Sequence, residues 1–196
     1  IIAVLPTIGK VTKYFSSYCQ YSSRYDKYKA GIIENPFKPE LSGGATTDIG
    51  VYTIYPMVVL FGKPSKVMAA GNLLSTGVDG SASVSFKFDD MDGAVVYSKI
   101  SDASLPTQII GEQGTITTDR INIISSLQLS YRDKQKPNED ITIANQKNEY
   151  FYEIEEFINI IESGKRESSV NSHAVSLAVV EVMDEIRKQL GVKLCQ

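Results

Sequence analysis

The sequence predicts an α+β domain built on a large, predominantly antiparallel sheet with helices packed on one face. Two patterns carry this prediction. Apolar residues recur at helical spacing over about 49–61 and again from about residue 150 onward. Segments between them alternate apolar and polar residues, most clearly over Ser81–Phe88, as in a half-buried strand. A chain of 196 residues suits one core and is too short for two α/β domains, so we expect a single domain over residues 1–196.

Composition argues against two classes of partner. The net charge is −3 and no basic block occurs, so we do not expect nucleic acid or an anionic membrane surface as the main partner. No apolar run is long enough to cross a bilayer. The two cysteines, Cys19 and Cys195, lie at opposite ends, so we expect neither a disulfide framework nor a metal site, and we expect a reducing cytoplasm.

The start of the chain predicts the tail of a helix over Ile1–Leu5, ended by Pro6, and then a strand over Val11–Tyr21. The first residues form an apolar phrase without Met, and they lack the basic region and cleavage site of a signal peptide. We therefore expect a fragment or a processed product. No strand–GxGxxG–helix unit occurs in the sequence, so the dinucleotide-binding fingerprint is absent from it.

Arg24 follows the predicted strand, at a position where side chains often reach a pocket. Its planar guanidinium can hold an anionic or polyhydroxyl ligand, and an ordinary surface ion pair with Asp26 is an equally good interpretation.

The segment Lys27–Leu41 is predicted to be irregular, because Pro36 and Pro39 exclude a helix. Long irregular connections are often functional, and this one leads into a glycine pair. It is a candidate to lie over a site and to contribute Asn35 or Lys38. For any single residue of the segment, a simple surface connection is the better interpretation.

The stretch Ser42–Pro64 predicts a largely buried helix. It opens with Gly43 and Gly44, and Thr46 and Thr47 are candidate N-caps. The helix is expected to end at Gly62, shortly before Pro64.

Asp48 and Tyr52 lie four residues apart in this helix and therefore share one face. A carboxylate and a phenol placed in this way can share a substrate hydroxyl or a proton. The alternative is a capping Asp and a core Tyr, which spacing alone favours, because Asp is common in a first helical turn.

Further along, period-two patterns and turn signals predict more strands, over Ser65–Leu74 with a bulge at Gly71, Ser81–Phe88, Ala94–Ile100, Thr107–Gly111, Gly114–Thr118, Ile121–Ser125 and Leu127–Arg132. The acidic turn Asp89–Gly93 lacks the ligand register of a calcium loop. Helices are predicted over Tyr150–Ser163 and His173–Leu190, the second capped by Asn171 or Ser172. His173 is the only histidine, so metal binding is not expected.

Residues 43–52, Gly-Gly-Ala-Thr-Thr-Asp-Ile-Gly-Val-Tyr, followed by an apolar helix and Phe-Gly-Lys-Pro, resemble the Gfo/Idh/MocA family of NAD(P)-dependent oxidoreductases. The match is to the helix that opens the family's C-terminal, substrate-side domain, and the resemblance extends from about Gly9 to Gly191. The Tyr form of the motif is similar to the dihydrodiol dehydrogenase and glucose–fructose oxidoreductase branches. It differs from the inositol dehydrogenase branch, which carries His.

The resemblance implies the catalytic, substrate-binding domain of an oxidoreductase acting on a secondary alcohol of a sugar, polyol or dihydrodiol. NAD or NADP would be bound mainly by a domain upstream of residue 1. Asp48 would bind a substrate hydroxyl, and Tyr52 would move the alcohol proton. An unperturbed phenol has a pKa near 10, so a cation must help it; in relatives this is a lysine of an upstream Glu-Lys-Pro motif.

The resemblance also implies a homo-oligomer formed through the open sheet face, because relatives commonly pair in this way. The alternative function is a non-catalytic dimerisation or carbohydrate-binding module. A glycine-rich fingerprint and a Glu-Lys-Pro triplet upstream of Ile1 would favour the enzyme.

Overall fold

One mixed sheet organises the fold. The computed structural model describes residues 1–144 and 147–192, so Cys195 lies outside the described residues. Within them the strands are β1 (Val11–Cys19), β2 (Lys66–Leu73), β3 (Asp79–Lys87), β4 (Asp92–Ser98), β5 (Thr107–Gly111), β6 (Gly114–Thr118), β7 (Leu127–Tyr131) and β8 (Glu139–Asp140). The α-helices are α1 (Ser23–Lys29), α2 (Val51–Phe61), α3 (Glu149–Glu162) and α4 (His173–Leu190). Short 3₁₀ helices span Ile2–Ile8, Asn35–Phe37 and Pro39–Leu41, and a π-helical turn spans Thr46–Gly50.

The strand order is β2-β3-β4-β1-β5-β6-β7-β8, and every described neighbouring pair is antiparallel except β1 with β4. In that parallel pair Cys19 lies opposite Ser98. The carboxyl ends of two strands far apart in sequence therefore meet at one edge of the sheet. This edge is where the candidate site forms.

The core lies between α2, α4 and one face of the sheet. Its members are buried apolar side chains from both layers, among them Ile54, Met57, Val84, Phe86, Val95, Val182 and Ile186. The predicted alternation in β3 is confirmed, because Val84 and Phe86 are buried while Ser83 and Ser85 are exposed. The predicted α+β class with a mainly antiparallel sheet is confirmed as well.

The apolar side of α3 remains outside this core. Its spacing is helical, as predicted, but Phe157 is 63% exposed and Ile161 is 62% exposed. In the described residues no helix combines the length and the apolar character that a membrane crossing requires.

Three boundaries near the start of the chain differ from the prediction. Pro6 does not end the first helix, because the 3₁₀ helix continues to Ile8 and loses only the one hydrogen bond that Pro6 cannot donate. Ser23–Lys29 is a helix capped by the Ser22 hydroxyl, so Arg24 lies in a first helical turn and not at a strand end. Pro36 is the second and Pro39 the first residue of short 3₁₀ turns, where a missing N–H costs little.

Two predictions in the sheet are also wrong. Residues 121–125 form a loop, because the Asp119 carboxylate accepts hydrogen bonds from the backbone N–H groups of Ser125 and Ser126 and closes the segment on itself. Gly71 pairs regularly with Ala82, and the irregularity lies between Asn72 and Leu73.

Candidate functional site

The first residue of the helical segment that carries Asp48 forms hydrogen bonds to a buried carboxylate of another element. Asp79, at the start of β3, is 1% exposed and accepts hydrogen bonds from the Thr46 backbone N–H and hydroxyl, both at 2.7 Å. The predicted capping by Thr46 or Thr47 is therefore wrong, since the Thr47 hydroxyl donates to the Ser42 carbonyl. The carboxylate of Asp79 takes the place of a local cap and satisfies the first N–H of the turn.

The glycine pair is required by close contacts at this start. Gly44 has a φ of +130°, and a Cβ there would lie 2.3 Å from Oδ1 of Asp79. A Cβ on Gly43 would lie 2.7 Å from the Pro36 carbonyl oxygen. The Gly44 N–H also donates to that carbonyl, at 3.0 Å. The loop that precedes the pair is thus packed directly against it.

The first turn, Thr46–Gly50, is π-helical, a geometry that is often found at functional sites. A Cβ on Gly50 would lie 3.0 Å from Cζ of Tyr97, so glycine lets the turn pack on that ring. The Tyr97 hydroxyl shares a hydrogen bond of 2.8 Å with the Thr46 hydroxyl, and burial raises the pKa of Tyr97 above its usual value. The turn is therefore held from two sides, and Asp48 projects from a rigid support.

Asp48 forms an ion pair with Lys99, which directly follows β4. The Lys99 side chain is 4% exposed, whereas that of Asp48 is 52% exposed. The Lys99 ammonium also lies 5.2 Å from the centre of the Phe37 ring. Asp48 is therefore not a helix cap, but an accessible carboxylate held by a buried cation.

Tyr52 contacts Tyr18, a residue of β1, edge to face, with ring centres 5.5 Å apart. Tyr52 is 46% exposed, which contradicts the alternative of a core Tyr. The Tyr18 hydroxyl donates to Oε1 of Gln20 at 2.9 Å. Burial raises the pKa of Tyr18, Tyr52 and Asp48 raise it further when they are ionised, and the positive charge of Arg120 opposes them. Tyr18, Tyr52 and Asp48 thus lie within electrostatic reach of one another.

A cavity of about 880 Å³ opens beside Tyr18. It lies at the carboxyl end of β1 and is lined by the loops of residues 102–106 and 119–123. Its polar lining includes Gln20, Asp102, Arg120 and Asn122. Tyr18 lines this cavity and also contacts Tyr52. Hydrogen-bond donors and acceptors are therefore both present next to the face that carries Asp48 and Tyr52.

The other candidate residues do not meet at this face. Arg24 pairs with Glu34 at 3.7 Å rather than with Asp26, and its side chain is 58% exposed. Asn35 is exposed and Lys38 is half-buried, and within the described residues neither side chain forms a hydrogen bond or ion pair with Asp48 or Tyr52. The loop reaches the site instead through Phe37, beneath the Lys99 ammonium.

In the part of the chain that the structure describes, no three side chains of His, Cys, Asp or Glu form a cluster that could hold a metal ion. His173 lies at the start of α4 with its side chain 80% exposed, beside Glu167.

Sequence reasoning missed Lys99, Tyr18 and Asp79. One signal for Lys99 was available, because it follows the buried residues Val95 and Tyr97 at period two and so continues the inward-facing positions of the predicted strand. A lysine at such a position needs a charged partner. No local pattern links Tyr18 or Asp79 to the motif.

A family model described as GFO/IDH/MocA C-terminal domain matches residues 6–117. The scyllo-inositol 2-dehydrogenase (NADP(+)) IolU of Bacillus subtilis is 46% identical over 188 residues, which cover 96% of this chain and 57% of that protein. The trans-1,2-dihydrobenzene-1,2-diol dehydrogenase of Danio rerio is 34% identical over 84% of this chain and 51% of its own length. The expected similarity to dihydrodiol dehydrogenases is confirmed, and an inositol dehydrogenase is a relative as well.

Solved structures share the fold. An oxidoreductase from Thermotoga maritima has a TM-score of 0.74 at 20% identity and covers 97% of this chain and 56% of its own. The aldose–aldose oxidoreductase of Caulobacter crescentus has a TM-score of 0.72 at 16% identity, over 96% of this chain and 57% of its own. The chain thus spans a little more than half the length of the proteins it matches.

Proposed function

The chain belongs to the GFO/IDH/MocA family, and from that membership we propose that it is the substrate-side domain of an NAD(P)-dependent oxidoreductase. The substrate would be a secondary alcohol of a sugar, polyol or dihydrodiol. One observation carries the proposal: Asp48 and Tyr52 are both accessible, and Tyr52 packs against Tyr18, which lines a polar cavity.

Tyr52 is the proposed acid/base. Oxidation of an alcohol to a carbonyl removes a proton from oxygen as a hydride leaves carbon, and a group within hydrogen-bond reach must take that proton. Tyr52 is 46% exposed, and its ring is held by the edge contact with Tyr18. The proton would pass to the Tyr52 oxygen during oxidation and return from it during reduction.

Asp48 is the proposed substrate anchor. Its carboxylate accepts hydrogen bonds only, so it suits a hydroxyl on or next to the reacting carbon. The turn that carries it is held by Asp79 and Tyr97, so the reacting carbon would be fixed relative to Tyr52.

The cavity supports a polyhydroxyl substrate. Gln20, Asp102, Arg120 and Asn122 offer both donors and acceptors, as a molecule with several hydroxyls requires. Polyol and dihydrodiol dehydrogenases among the relatives agree with this class. Arg24, Asn35 and Lys38 remain proposals for outer substrate contacts, which would require the substrate to extend along the loop before the glycine pair.

NAD or NADP is the proposed cofactor, bound mainly by a further domain. The chemistry that it supplies when bound is acceptance or donation of the hydride at the alcohol carbon. The residues here fit such a partner, because Asp48 and Tyr52 are open to solvent and remain accessible to a nicotinamide held from outside.

We further propose that the protein is a cytoplasmic homo-oligomer that pairs through the open sheet face. The face opposite α2 and α4 carries Phe15, Ala94, Val96 and Ile110, which form an apolar strip that serines, lysine and glutamine flank. Such a strip can be buried by a second copy. A monomeric mass in solution would contradict this proposal.

Turnover by the full-length protein tests the proposed function. It would be assayed with NAD⁺ and NADP⁺ against a panel of inositols, sugars and trans-dihydrodiols. Tyr52→Phe should lower kcat by roughly 100-fold to 10,000-fold, because it removes the hydroxyl that moves the proton. The melting temperature should stay close to that of the wild type, because the lost hydroxyl is on a half-exposed side chain.

Tyr55→Phe is the matched control. Tyr55 lies one turn further along α2 and has no hydrogen bond to the site in the described residues. It should keep full turnover. Near-normal turnover in Tyr52→Phe would remove Tyr52 from the mechanism, and a wild-type protein inactive on the whole panel would favour the non-catalytic module.

A further inference from the structure

Lys99 is a buried cation that forms an ion pair with an exposed carboxylate. Its side chain is 4% exposed, and the ammonium faces Asp48 on one side and the Phe37 ring on another. A lysine is rarely buried to this extent unless it is paired, because the charged form is poorly solvated there.

The backbone of Lys99 is fixed on both sides. Its N–H donates to the Gly80 carbonyl at 2.9 Å, and its carbonyl accepts from the Ser22 N–H, also at 2.9 Å. Gly80 lies in β3 next to Asp79, which holds the turn that carries Asp48. The cation and the carboxylate that it contacts are therefore both anchored to the same part of the sheet.

The contact with Lys99 involves only one of the two carboxylate oxygens of Asp48. Lys99 contacts Oδ2. Among residues 1–144 and 147–192, no side chain or backbone group donates a hydrogen bond to Oδ1. One oxygen is thus held by the protein, and the other is available on a side chain that is 52% exposed.

We propose that Lys99 is a positioning residue, which orients the Asp48 carboxylate so that its free oxygen receives a substrate hydroxyl. This inference rests on the proposed function. An exposed Asp side chain otherwise rotates freely, and fixing it before the substrate arrives removes that cost from the reaction. Lys99 acts through Asp48 and does not itself touch the substrate.

A purely structural role predicts something different. If the pair only neutralised a buried ammonium, loss of the charge would change stability and leave the kinetics of the folded enzyme intact. If Lys99 positions Asp48, its loss must change the kinetic constants for the alcohol and must do so only while Asp48 is present.

The test compares Lys99→Met, Asp48→Asn and the double variant with the wild type in the full-length enzyme. Methionine keeps the length of the stem and removes the charge. We expect Lys99→Met to lower kcat/KM for the alcohol by roughly 100-fold, the scale of a misplaced catalytic geometry, with an unchanged KM for NAD(P). In the Asp48→Asn background the same change should cost less than about threefold, because the group that Lys99 orients is no longer a carboxylate.

Lys99→Arg, which keeps a positive charge that can hydrogen-bond to the Asp48 carboxylate, should lose less kcat/KM than Lys99→Met. Melting temperatures for each variant separate folding from kinetics, and kinetics are measured where each variant is folded. Should Lys99→Met not fold, Lys99→Gln is judged by the same criteria.

A loss below about threefold in the single variant, or an equal loss with and without Asp48, would overturn the inference. The proposed function fails separately, through an inactive wild type. An active wild type with an inactive Tyr52→Phe and a normal Lys99→Met would overturn the role of Lys99 alone.

Discussion

Replacing Gly44 with alanine tests whether the contact between the glycine pair and Asp79 holds the candidate site in place. Gly44 has a φ of +130°, and an added Cβ would lie 2.3 Å from Oδ1 of a carboxylate that is 1% exposed. No Cβ tolerates that distance, so the backbone or Asp79 must move. Asp79 cannot move without disturbing its hydrogen bonds from Thr46.

Two costs add in this variant. A non-glycine residue at this φ carries backbone strain of about 1–3 kcal/mol. Weakening the hydrogen bonds of Thr46 to a buried carboxylate costs about 1.5–3 kcal/mol for each bond lost. We therefore expect the free energy of unfolding to fall by roughly 4 kcal/mol or more, a large share of the ~5–15 kcal/mol typical of a domain.

The assay is thermal and urea unfolding of the purified protein, with Gly62→Ala as the matched control. Gly62 ends α2 with a φ of +77°, and a Cβ there would meet nothing within 4 Å. In the control, the free energy of unfolding should fall only by the cost of backbone strain, about 1–3 kcal/mol. At about 2–4 °C per kcal/mol for a chain of this size, the melting temperature of Gly44→Ala should fall by roughly 10 °C or more.

Equal losses in the two variants would refute the reasoning, because they would show that the Asp79 contact contributes nothing beyond backbone strain. Asp79→Asn in the Gly44→Ala background adds a second check. Because the contact is already broken there, the substitution should cost less than it does in the wild type.

Two further predictions concern other parts of the sheet. Burial tends to raise the pKa of Asp119, but the hydrogen bonds from Ser125, Ser126 and Arg120 outweigh it and lower the pKa to about 2. The folded pKa lies below the unfolded value near 4, so the stabilisation is present above pH 4 and is lost as the pH falls towards 2. The urea midpoint of the wild type should therefore exceed that of Asp119→Asn at pH 5, with the gap closing towards pH 2; a constant gap would contradict the assignment. Val96→Lys places a charge in the middle of the open sheet face and should turn the proposed oligomer into a folded monomer by light scattering, whereas an unchanged mass would rule out this face as the interface.

Local patterns were sufficient for most of the secondary structure. The alternation of β3 and the Ser172 cap of α4 were both predicted, because strand and helix periodicities are set by neighbours in sequence. Loop 121–125 was predicted wrongly because its β-branched residues suit a strand, while the Asp119 side chain closes the segment by hydrogen bonds.

The candidate site was only half visible in the sequence. Asp48 and Tyr52 belong to one helical segment, so their spacing placed them on one face. Arg24 was considered because of an expected strand end, and the helix Ser23–Lys29 replaced that end. The cation expected to assist Tyr52 was an upstream lysine, and the contact of Asp48 with Lys99 was not predicted.

What the sequence by itself determined is the α+β class, the family and the pair Asp48–Tyr52, because each depends on residues within a few positions of one another. What the tertiary structure alone decided is which residues surround that pair and support its turn: Lys99, Tyr18 and Asp79. The parallel pairing of β1 with β4 brings two distant strand ends to one edge, and Asp79 reaches the same turn from β3. No periodicity encodes which strands become neighbours, because that choice comes from burying the whole core at once.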